Sequence, residues 1–577
     1  MIAICQQKRK AKGRRFFMKR CIKLLLTMVC SIVCTTTVFA ENAVGDYVQL
    51  CVNGQQEDYV AVYNINGNNY FRLRDVASKV KGTTAQFAVS WNAQERKIEI
   101  TSGKAYTGAA EVNGAYYETI FVQSSNAAIL VDGVPQNLNA YTIQGNTYFK
   151  LRDLAELLGF SVVWNGAENT IDLITGMTEN KMLIEGGGEK RVVTPQSSKA
   201  NYAKTSKSYL FDNGDGTCSI LDVNGDTIQI DTYQMQDFQK ISGKTIAMPL
   251  PLFGGFCKGE DGYYIAVGQS DQEQVNKEVI RIIKYDTDFQ EVDHVSINSA
   301  DCFTTIPFDA GSGKMVAQGD ELIFHTSRER YLTEDGLNHQ SQLTIVVNTD
   351  TMTVENDMGR FQPNHVSHSF NQFVAYDGSY PVLVDHGDAY PRSIVLHEYG
   401  KSGSPSYDLV EIPGEIGANA TGITLGGFAI SDSSYMVAYN TIDHQKVTQY
   451  KNNEMVGLDT DERNVVVTIQ DKNTHNIQDV TLTDFIGHQK LASTPKLVQI
   501  QEDCFAVLWN VFDYQNPAQS TLQYVLIDGS GNLLGQTVTM QDMELSYDCQ
   551  PMVYEDTIYW YINQNENSRI LYQIEIS

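Results

Sequence analysis

From residue 199 to the end, the chain alternates short apolar runs with turns rich in Gly, Asn and Asp, and patterns of helical period are nearly absent. Short runs of Val, Ile, Tyr and Phe between such turns predict β-strands. Seven of these runs recur at spacings of 53 to 69 residues and begin at Tyr209, Tyr263, Leu322, Val382, Met436, Phe505 and Ile558.

Seven units of about four strands each predict a seven-bladed β-propeller over residues 199–577, since radial repetition leaves few free sheet edges. Six or eight blades, or a pair of β-sandwiches, are the alternatives. The last unit ends with Arg569 to Ile576 and lacks one strand. We expect Lys190–Thr194, within a linker over residues 178–198, to supply that strand beside the C-terminus.

The region before the linker contains an internal repeat. Residues 63–77 return as residues 141–155, and Trp91-Asn92 returns as Trp164-Asn165. A repeat of this kind predicts one structural unit built twice. Asp153 is expected to cap a short helix over Leu154–Leu158. Hairpin turns are expected at Asn53-Gly54, Asn66-Gly67, Asp132-Gly133 and Gly145-Asn146.

The paired Tyr-Phe-(Arg/Lys)-Leu-Arg-Asp and Trp-Asn motifs resemble the copper amine oxidase N-terminal-like domain, the stalk module of many exported Gram-positive bacterial proteins. The resemblance covers residues 41–177, with repeats at about 48–100 and 128–175,. It implies a small α+β module with a spacer or envelope-binding role. The copper-domain motif Thr-x-x-Asn-Tyr-(Asp/Glu) is absent from this sequence, so the resemblance implies no amine oxidase activity, metal or cofactor.

Residues 1–40 predict a cleaved signal peptide. Basic residues extend from Lys8 to Lys23, an apolar stretch follows over Leu24–Val33, and Val38-Phe39-Ala40 forms a small-residue cleavage pattern,. The apolar stretch is shorter than the roughly 20 residues of a membrane span. We therefore expect a secreted or cell-wall-associated protein with no stable membrane insertion after cleavage.

The charge of the chain limits the partners that it can bind. Residues 1–40 hold nine of the 43 Lys and Arg residues and none of the 69 Asp and Glu residues, which leaves 34 basic against 69 acidic residues, or −35. Such a surface repels nucleic acid and anionic lipid. Six cysteines follow residue 40, without any C-x-x-C pair, and they fit buried apolar positions as well as disulfides.

The candidate site is a group of polar residues in the predicted blades 3 and 4. Six of the ten histidines fall between His325 and His397. Histidine, carboxylate, amide and guanidinium groups supply directional hydrogen bonds to a polar ligand. The candidate ligand-binding residues are His325, Arg328, Asp335, His339, Gln340, His365, His368, Asp385, His386, Asp388 and Arg392.

Three interpretations of this cluster stay open: a structural hydrogen-bond network, a pocket for a glycan or other polar ligand, and a catalytic or metal site. His365-x-x-His368 has suitable donors, but two histidines three apart on a strand point to opposite faces. We interpret the protein as a non-catalytic binder of a glycan or a surface protein at the cell envelope, without a cofactor. The alternatives are a polysaccharide hydrolase or lyase on a propeller and a structural scaffold for protein partners. Trp91 and Trp164 are interpreted as core residues, with sugar stacking as the alternative.

Overall fold

The computed structural model describes most of the chain after the predicted signal peptide. That peptide and the turn at Asn53-Gly54 lie outside the described residues. The structure describes residues 41–52, 55–83, 85–108, 119–158, 160–165, 170–175, 178–196, 202–273, 275–452, 454–515 and 520–576.

The front module, residues 41–175, contains short strands and one helix in each copy of the repeat. Gln144 and Gly145, with φ of 49° and 80°, form the second hairpin turn, so this turn lies one residue before the predicted position. The elements are β1 (Glu41–Val52), β2 (Gln55–Ile65), β3 (Asn68–Arg72), α1 (Leu73–Lys79), β4 (Phe87–Asn92), β5 (Lys97–Ser102), β6 (Thr119–Ser124), β7 (Ala128–Val131), β8 (Val134–Gln136), β9 (Ala140–Ile143), β10 (Asn146–Lys150), α2 (Leu151–Leu158), β11 (Ser161–Asn165) and β12 (Thr170–Ile174).

The two copies of the repeat interlock around a pseudo-twofold axis. Strands β3 and β10 pair antiparallel with Phe71 opposite Phe149. The closing hairpin of each copy joins the strands that open the other copy, since β12 runs parallel to β1 and β5 runs parallel to β7. Both copies therefore contribute to one hydrophobic core, which includes both phenylalanines.

Two further details of the module differ from the sequence predictions. Helix α2 begins at Leu151, so Asp153 lies in its first turn rather than at its cap. A carboxylate in the first turn still interacts favourably with the helix dipole. Trp91 is 49% exposed rather than buried, because it lies on β4, the edge strand of the sheet β4-β5-β7-β8.

The rest of the described chain is a ring of seven antiparallel blades, which confirms the prediction of a mainly β protein with a propeller. Strand β13 (Thr178–Glu185) comes first. Blades 1 and 2 comprise β14 (Ser208–Asp212), β15 (Thr217–Asn224), β16 (Thr227–Gln234), β17 (Lys240–Ala247), β18 (Leu252–Lys258), β19 (Tyr263–Gly268), β20 (Glu278–Tyr285) and β21 (Glu291–Asn298), followed by α3 (Ser299–Cys302).

Blades 3 and 4 form one continuous sheet through the pairing of Ser341 with Ser367. Their strands are β22 (Thr304–Pro307), β23 (Lys314–Gln318), β24 (Glu321–Arg330), β25 (Gln340–Asn348), β26 (Thr353–Val354), β27 (Ser367–Asp377), β28 (Tyr380–Ala389), β29 (Ser393–Glu398) and β30 (Ser406–Glu411).

Blades 5 to 7 complete the ring, and blade 5 carries a 3-10 helix (His444–Lys446). Their strands are β31 (Ile423–Ile430), β32 (Ser434–Thr441), β33 (Gln449–Tyr450), β34 (Met455–Val456), β35 (Asn464–Asp471), β36 (Ile477–Thr481), β37 (Lys490–Ala492), β38 (Lys496–Gln501), β39 (Cys504–Asp513), β40 (Ser520–Ile527), β41 (Val538–Gln541), β42 (Met552–Tyr554), β43 (Thr557–Asn565) and β44 (Ser568–Glu575).

Strand β13 closes the ring by pairing antiparallel with β44 along its whole length, as the outermost strand of blade 7. The expectation that Lys190–Thr194 is this strand is therefore wrong. That segment makes a single bridge, between Val192 and Ser546. The seven apolar runs do not all occupy the same position in their blades. The run that begins at Tyr209 lies in the first strand of its blade, whereas the other six lie in second strands.

A buried ionic network joins blade 7 to blade 1. The Arg569 guanidinium is fully buried and donates to Asp222 (3.0 and 2.6 Å) and to Asp231 (2.8 Å). The Tyr561 hydroxyl donates to the other oxygen of Asp222 (2.9 Å). Lys240 Nζ lies 3.0 Å from the other oxygen of Asp231. Two cations therefore pair with the two carboxylates, and the network links the first and last blades without leaving an uncompensated buried ion.

All six cysteines after residue 40 are buried. Cys218, Cys504 and Cys549 belong to the core that joins blades 6, 7 and 1. They therefore act as small apolar side chains in this structure. No helix in the described part of the chain is long and apolar enough to cross a membrane.

Candidate functional site

A central cavity of about 480 Å³ lies where the innermost strands of blades 3 to 6 meet the segment between β13 and β14. Backbone hydrogen bonds hold that segment in place. Val193 N donates to Leu545 O (3.1 Å), and Ala203 N donates to Phe370 O (2.8 Å). The segment thus connects blade 4 with the link between blades 6 and 7, and it forms one wall of the cavity.

The cavity carries positive charge inside a strongly acidic protein. Lys314, Lys496 and Arg191 line it, and Glu189 is the one carboxylate among its described lining residues. Arg191 Nη1 lies 3.0 Å from Asp548 Oδ2, so its charge is balanced by that buried carboxylate. Lys314 and Lys496 have no carboxylate within ion-pair distance in the described structure, so no acidic side chain there compensates their charge.

Burial favours the neutral forms of these groups, so it lowers the pKa values of the lysines and raises that of the aspartate. It lowers the pKa of Lys314 to about 8, and the neighbouring charge of Lys496 adds to the shift. Burial also lowers the pKa of Lys496. It raises the pKa of Asp548 to about 6, against the opposing charges of Arg191 and Lys496. A bound anion would stabilise the charged forms of the two ammonium groups and so offset the free-energy cost of burying them.

Aromatic rings accompany the cations. Lys314 Nζ lies 5.3 Å from the centre of the Phe373 ring, and the Arg191 guanidinium lies 5.1 Å from that of the Tyr547 ring. Lys496 Nζ donates to the backbone oxygen of Tyr547 (3.0 Å). The wall therefore combines cations, hydrogen-bonding groups and flat apolar faces, as sites for sugars and other polar ligands do.

A chain of hydrogen bonds connects the cavity with the predicted histidine cluster. The Tyr202 hydroxyl in the wall donates to the Asn419 amide oxygen (3.2 Å), and the Asn419 amide nitrogen donates to Asp388 Oδ2 (2.9 Å). His368 Nδ1 lies 3.1 Å from the other oxygen of Asp388. His386 also lines the cavity, and burial, followed by the charge of Arg392, lowers its pKa to about 3. It is therefore a neutral polar group at physiological pH.

Two of the predicted site residues form a buried network beside the cavity. His325 Nε2 lies 3.0 Å from Asp385 Oδ2, and both side chains are fully buried. Ser369 donates to the other Asp385 oxygen (2.6 Å), and His325 Nδ1 lies 3.0 Å from the Thr344 hydroxyl. Burial acts to raise the pKa of Asp385, but the charge and hydrogen bond of His325 outweigh it and lower that pKa. Neither residue lines the central cavity in the described structure.

Three other predicted residues bind backbone carbonyl groups. Arg328 donates to Gly359 O (3.1 Å), and burial lowers its pKa to about 10. Arg392 donates to Ala420 O (3.1 Å). Gln340 donates to two carbonyl oxygens at 3.0 and 2.6 Å. These contacts hold the connections between strands, as buried polar groups commonly do.

The remaining predicted residues lie toward the surface. His339 Nε2 is 2.6 Å from Asp335 Oδ2, and the Asp335 carboxylate is 52% exposed. His365 packs against the Phe361 ring at 4.9 Å, and burial lowers the pKa of His365 to about 4. Of the eleven candidates, His386 is the one that the described cavity wall includes. Ligand binding by all eleven stays a prediction.

The two histidines of His365-x-x-His368 have separate partners, Phe361 and Asp388. Over the described ranges, no group of three or more His, Cys, Asp and Glu side chains is placed to hold a metal ion. The donors that surround the cavity are ammonium, guanidinium, hydroxyl and amide groups, which suit an anion rather than a cation.

Sequence reasoning missed Lys314, Lys496 and Arg191. Lys314 and Lys496 are the first residues of β23 and β38, the innermost strands beside the cavity in blades 3 and 6. An alignment of the blades would have placed a lysine at the same position of two innermost strands. Arg191 lies in the segment that the sequence predicts as the closing strand, and it belongs to no binding motif.

No protein-family model matches the chain, and no curated protein matches its sequence. An oligogalacturonate lyase from Vibrio parahaemolyticus is 11% identical, with a TM-score of 0.38 over 70% of this chain and 98% of that chain. An uncharacterized protein from Listeria monocytogenes is 9% identical, with a TM-score of 0.32 over 64% and 91%. A Synechocystis apocarotenoid oxygenase is 10% identical, with a TM-score of 0.29 over 60% and 63%, so this chain spans less than two thirds of its length. These likenesses are too low to carry an argument, and the propeller assignment rests on the strand topology.

Proposed function

We propose that the protein is a secreted, envelope-associated binding protein whose propeller takes an anionic polar ligand, such as an acidic glycan, in the central cavity. The observation that supports this proposal best is the pair Lys314 and Lys496, which face the cavity without a carboxylate partner in the described structure. Burying ammonium groups is costly unless an opposite charge compensates them. A carboxylated or sulfated sugar would supply that charge.

The size and walls of the cavity favour a short oligosaccharide or a single acidic sugar. Its volume of about 480 Å³ falls within the range of roughly 300–1,000 Å³ that is typical of ligand sites. The hydroxyl groups of Tyr202 and Tyr547 and the amide of Asn371 line it, and each keeps hydrogen-bonding capacity beyond the contacts it makes within the protein,. These groups would bind sugar hydroxyls, while the lysines bind the acidic group.

A lyase is the second candidate, and one observation favours it. Burial brings the pKa of Lys314 to about 8, and a base with a pKa near neutrality is suited to abstract a proton beside a carboxylate. Lys496 would then neutralise that carboxylate. The C–H electron pair would form a C=C bond as the neighbouring glycosidic C–O bond breaks, and the leaving oxygen would take up a proton from the protonated Lys314 or from water. A hydrolase with two facing carboxylates has less support, since Glu189 is the one acidic side chain of the described cavity wall,.

Calorimetric titration of the chain from residue 41 onward with an oligogalacturonate tests the proposal. We expect one-site binding that Lys314→Met and Lys496→Met each weaken about tenfold, the loss of about 1.4 kcal/mol that one partly buried charge contact commonly costs. A neutral oligosaccharide of equal length should bind at least tenfold more weakly.

Lys451→Met is the matched control, because Lys451 is an exposed lysine paired with Glu454. Equal weakening by this variant, or unchanged binding in both cavity variants, would contradict the proposal. Ultraviolet absorbance of an unsaturated product, lost in Lys314→Met, would favour the lyase. Because the measurement follows turnover rather than affinity, it separates the two candidates.

The affinity for an anion is expected to rise as the pH falls from about 9 to about 5. Lys314 gains its positive charge below its pKa of about 8, and Asp548 loses its negative charge below its pKa of about 6. Both changes make the cavity more positive, and each linked proton changes the affinity by at most about tenfold per pH unit. Titrations with a sulfated sugar, which stays ionised throughout, measure this slope. A constant affinity would show that these groups do not face the ligand.

A further inference from the structure

The pseudo-twofold axis of the front module produces two equivalent grooves. Each groove lies between the strand–helix junction of one copy and the hairpin turn of the other. The first groove is lined by Arg74, Val89, Trp91, Arg96 and Asn146 among others. The second groove is lined by the corresponding residues Asn68, Arg152 and Val162. In the repeat, Arg152 corresponds to Arg74, Val162 to Val89 and Asn68 to Asn146.

A protein segment binds two of the residues that line the second groove. Arg152 Nη2 donates to Asp528 Oδ2 (3.1 Å) in the turn that follows β40 of blade 6. Val162 N on β11 donates to Leu534 O (3.1 Å) at the end of the same turn. Asp528 also accepts hydrogen bonds from Asn532 N (2.8 Å) and other groups of its own turn, which fixes its carboxylate toward the groove. Recognition thus consists of an ion pair and a backbone hydrogen bond to an edge strand.

The first groove offers the same recognition groups, but no segment of the described chain fills it. Arg74 is exposed and has no ion pair in the described residues. Val89 lies on β4, which pairs with β5 on one side and has no described strand on the other. The register of Val89 with Ile100 matches that of Val162 with Leu173, so the Val89 N–H points outward as the Val162 N–H does,.

Two side chains strengthen the first groove. Arg96 adds a second guanidinium, positioned by a hydrogen bond to Asn126 (2.7 Å). Trp91 presents a half-exposed ring at the groove. Partly exposed Trp and Arg side chains of this kind are common anchors of protein interfaces.

We propose that the first groove is a docking site for an aspartate-bearing turn of a partner protein. Arg74 and Arg96 would bind its carboxylate, and the β4 edge would bind its backbone, as Arg152 and β11 bind the blade 6 turn. A protein partner is favoured over a glycan because the equivalent groove already holds a protein segment through the same groups. The proposal does not depend on the central cavity.

A peptide with the sequence of residues 526–535, which contains the Asp528 turn, is the probe. We expect it to bind the chain from residue 41 onward at one site, because Arg152 and the Val162 N–H of the second groove are already engaged by the tethered blade 6 turn at high effective concentration,. Fluorescence anisotropy of the labelled peptide measures the affinity. Replacing the peptide's aspartate by asparagine should weaken binding at least tenfold.

The repeat supplies a matched pair of protein variants. Arg74→Gln should weaken peptide binding at least tenfold, whereas Arg152→Gln should leave binding at the first groove intact. Arg74 is exposed, so an unchanged melting temperature should accompany its variant. Equal affinity in Arg74→Gln and the unchanged protein would overturn the proposal. Arg74-dependent binding of an oligogalacturonate, with no binding of the peptide, would also overturn it, in favour of a glycan groove.

Discussion

Arg569→Met is expected to lower the free energy of unfolding of the propeller by about 3–5 kcal/mol. Arg569 is fully buried and pairs with Asp222 and Asp231, each only 1% exposed, while Lys240 pairs with Asp231 alone. Without the guanidinium, two carboxylates stay buried in the seam between blades 1 and 7. Such a loss is a large part of the 5–15 kcal/mol that is typical of a folded domain. Urea unfolding followed by circular dichroism measures the change.

Two further variants separate the buried charges from a general effect of removing an arginine. Arg281→Met removes a partly exposed arginine that pairs with Glu278 at 2.7 Å, and it should cost less than about 1 kcal/mol,. Adding Asp222→Asn and Asp231→Asn to the Arg569 variant should restore part of the loss, since neutral amides cost less to bury. Equal destabilisation by Arg281→Met and Arg569→Met would show that the buried network does not hold the seam.

The sequence predicted the blades well because their second strands are continuous apolar runs. The strand that closes the ring was predicted at the wrong segment, because the true strand, Thr178–Glu185, is the outermost strand of its blade. Ile184 is buried while Leu183 is 66% exposed, so this strand needs only one apolar face. The more apolar Val192-Val193 pair suggested a strand at the wrong place. Strand propensity reflects burial on a sheet face and is weak at sheet edges.

The repeat was also visible in the sequence, but the exchange of closing hairpins between its copies was not. Pairing of β1 with β12 joins residues about 120 positions apart,. No local pattern specifies that choice, because each hairpin would fit either copy equally well. The exchange follows from packing both copies around Phe71 and Phe149, and this packing creates the two grooves.

In the candidate site, the residues that are conspicuous in the sequence differ from those that line the cavity. The dense histidine region between His325 and His397 was conspicuous in the sequence, and most of its side chains satisfy one another or the backbone. Lys314 and Lys496 are distant in the chain and belong to no motif. They meet because each begins an innermost strand of its blade, a relation that the ring of blades creates.

Asp385→Ala is expected to destabilise the propeller by about 3 kcal/mol, because two buried donors lose their acceptor. His325 Nε2 and the Ser369 hydroxyl both point at this carboxylate, and the histidine and the aspartate are fully buried. The cost of an unsatisfied buried polar group is about 1–3 kcal/mol, so two such groups set the expected size. Chemical unfolding measures it.

Asp335→Ala is the matched control, since Asp335 also pairs with a histidine, His339, but is half exposed. It should change the stability by less than about 1 kcal/mol. Its effect on oligogalacturonate affinity should be small, because neither residue lines the described cavity. If Asp385→Ala instead abolished binding at unchanged stability, the buried network would itself be part of the ligand site. The comparison therefore distinguishes a network that shapes blades 3 and 4 from one that contacts the ligand.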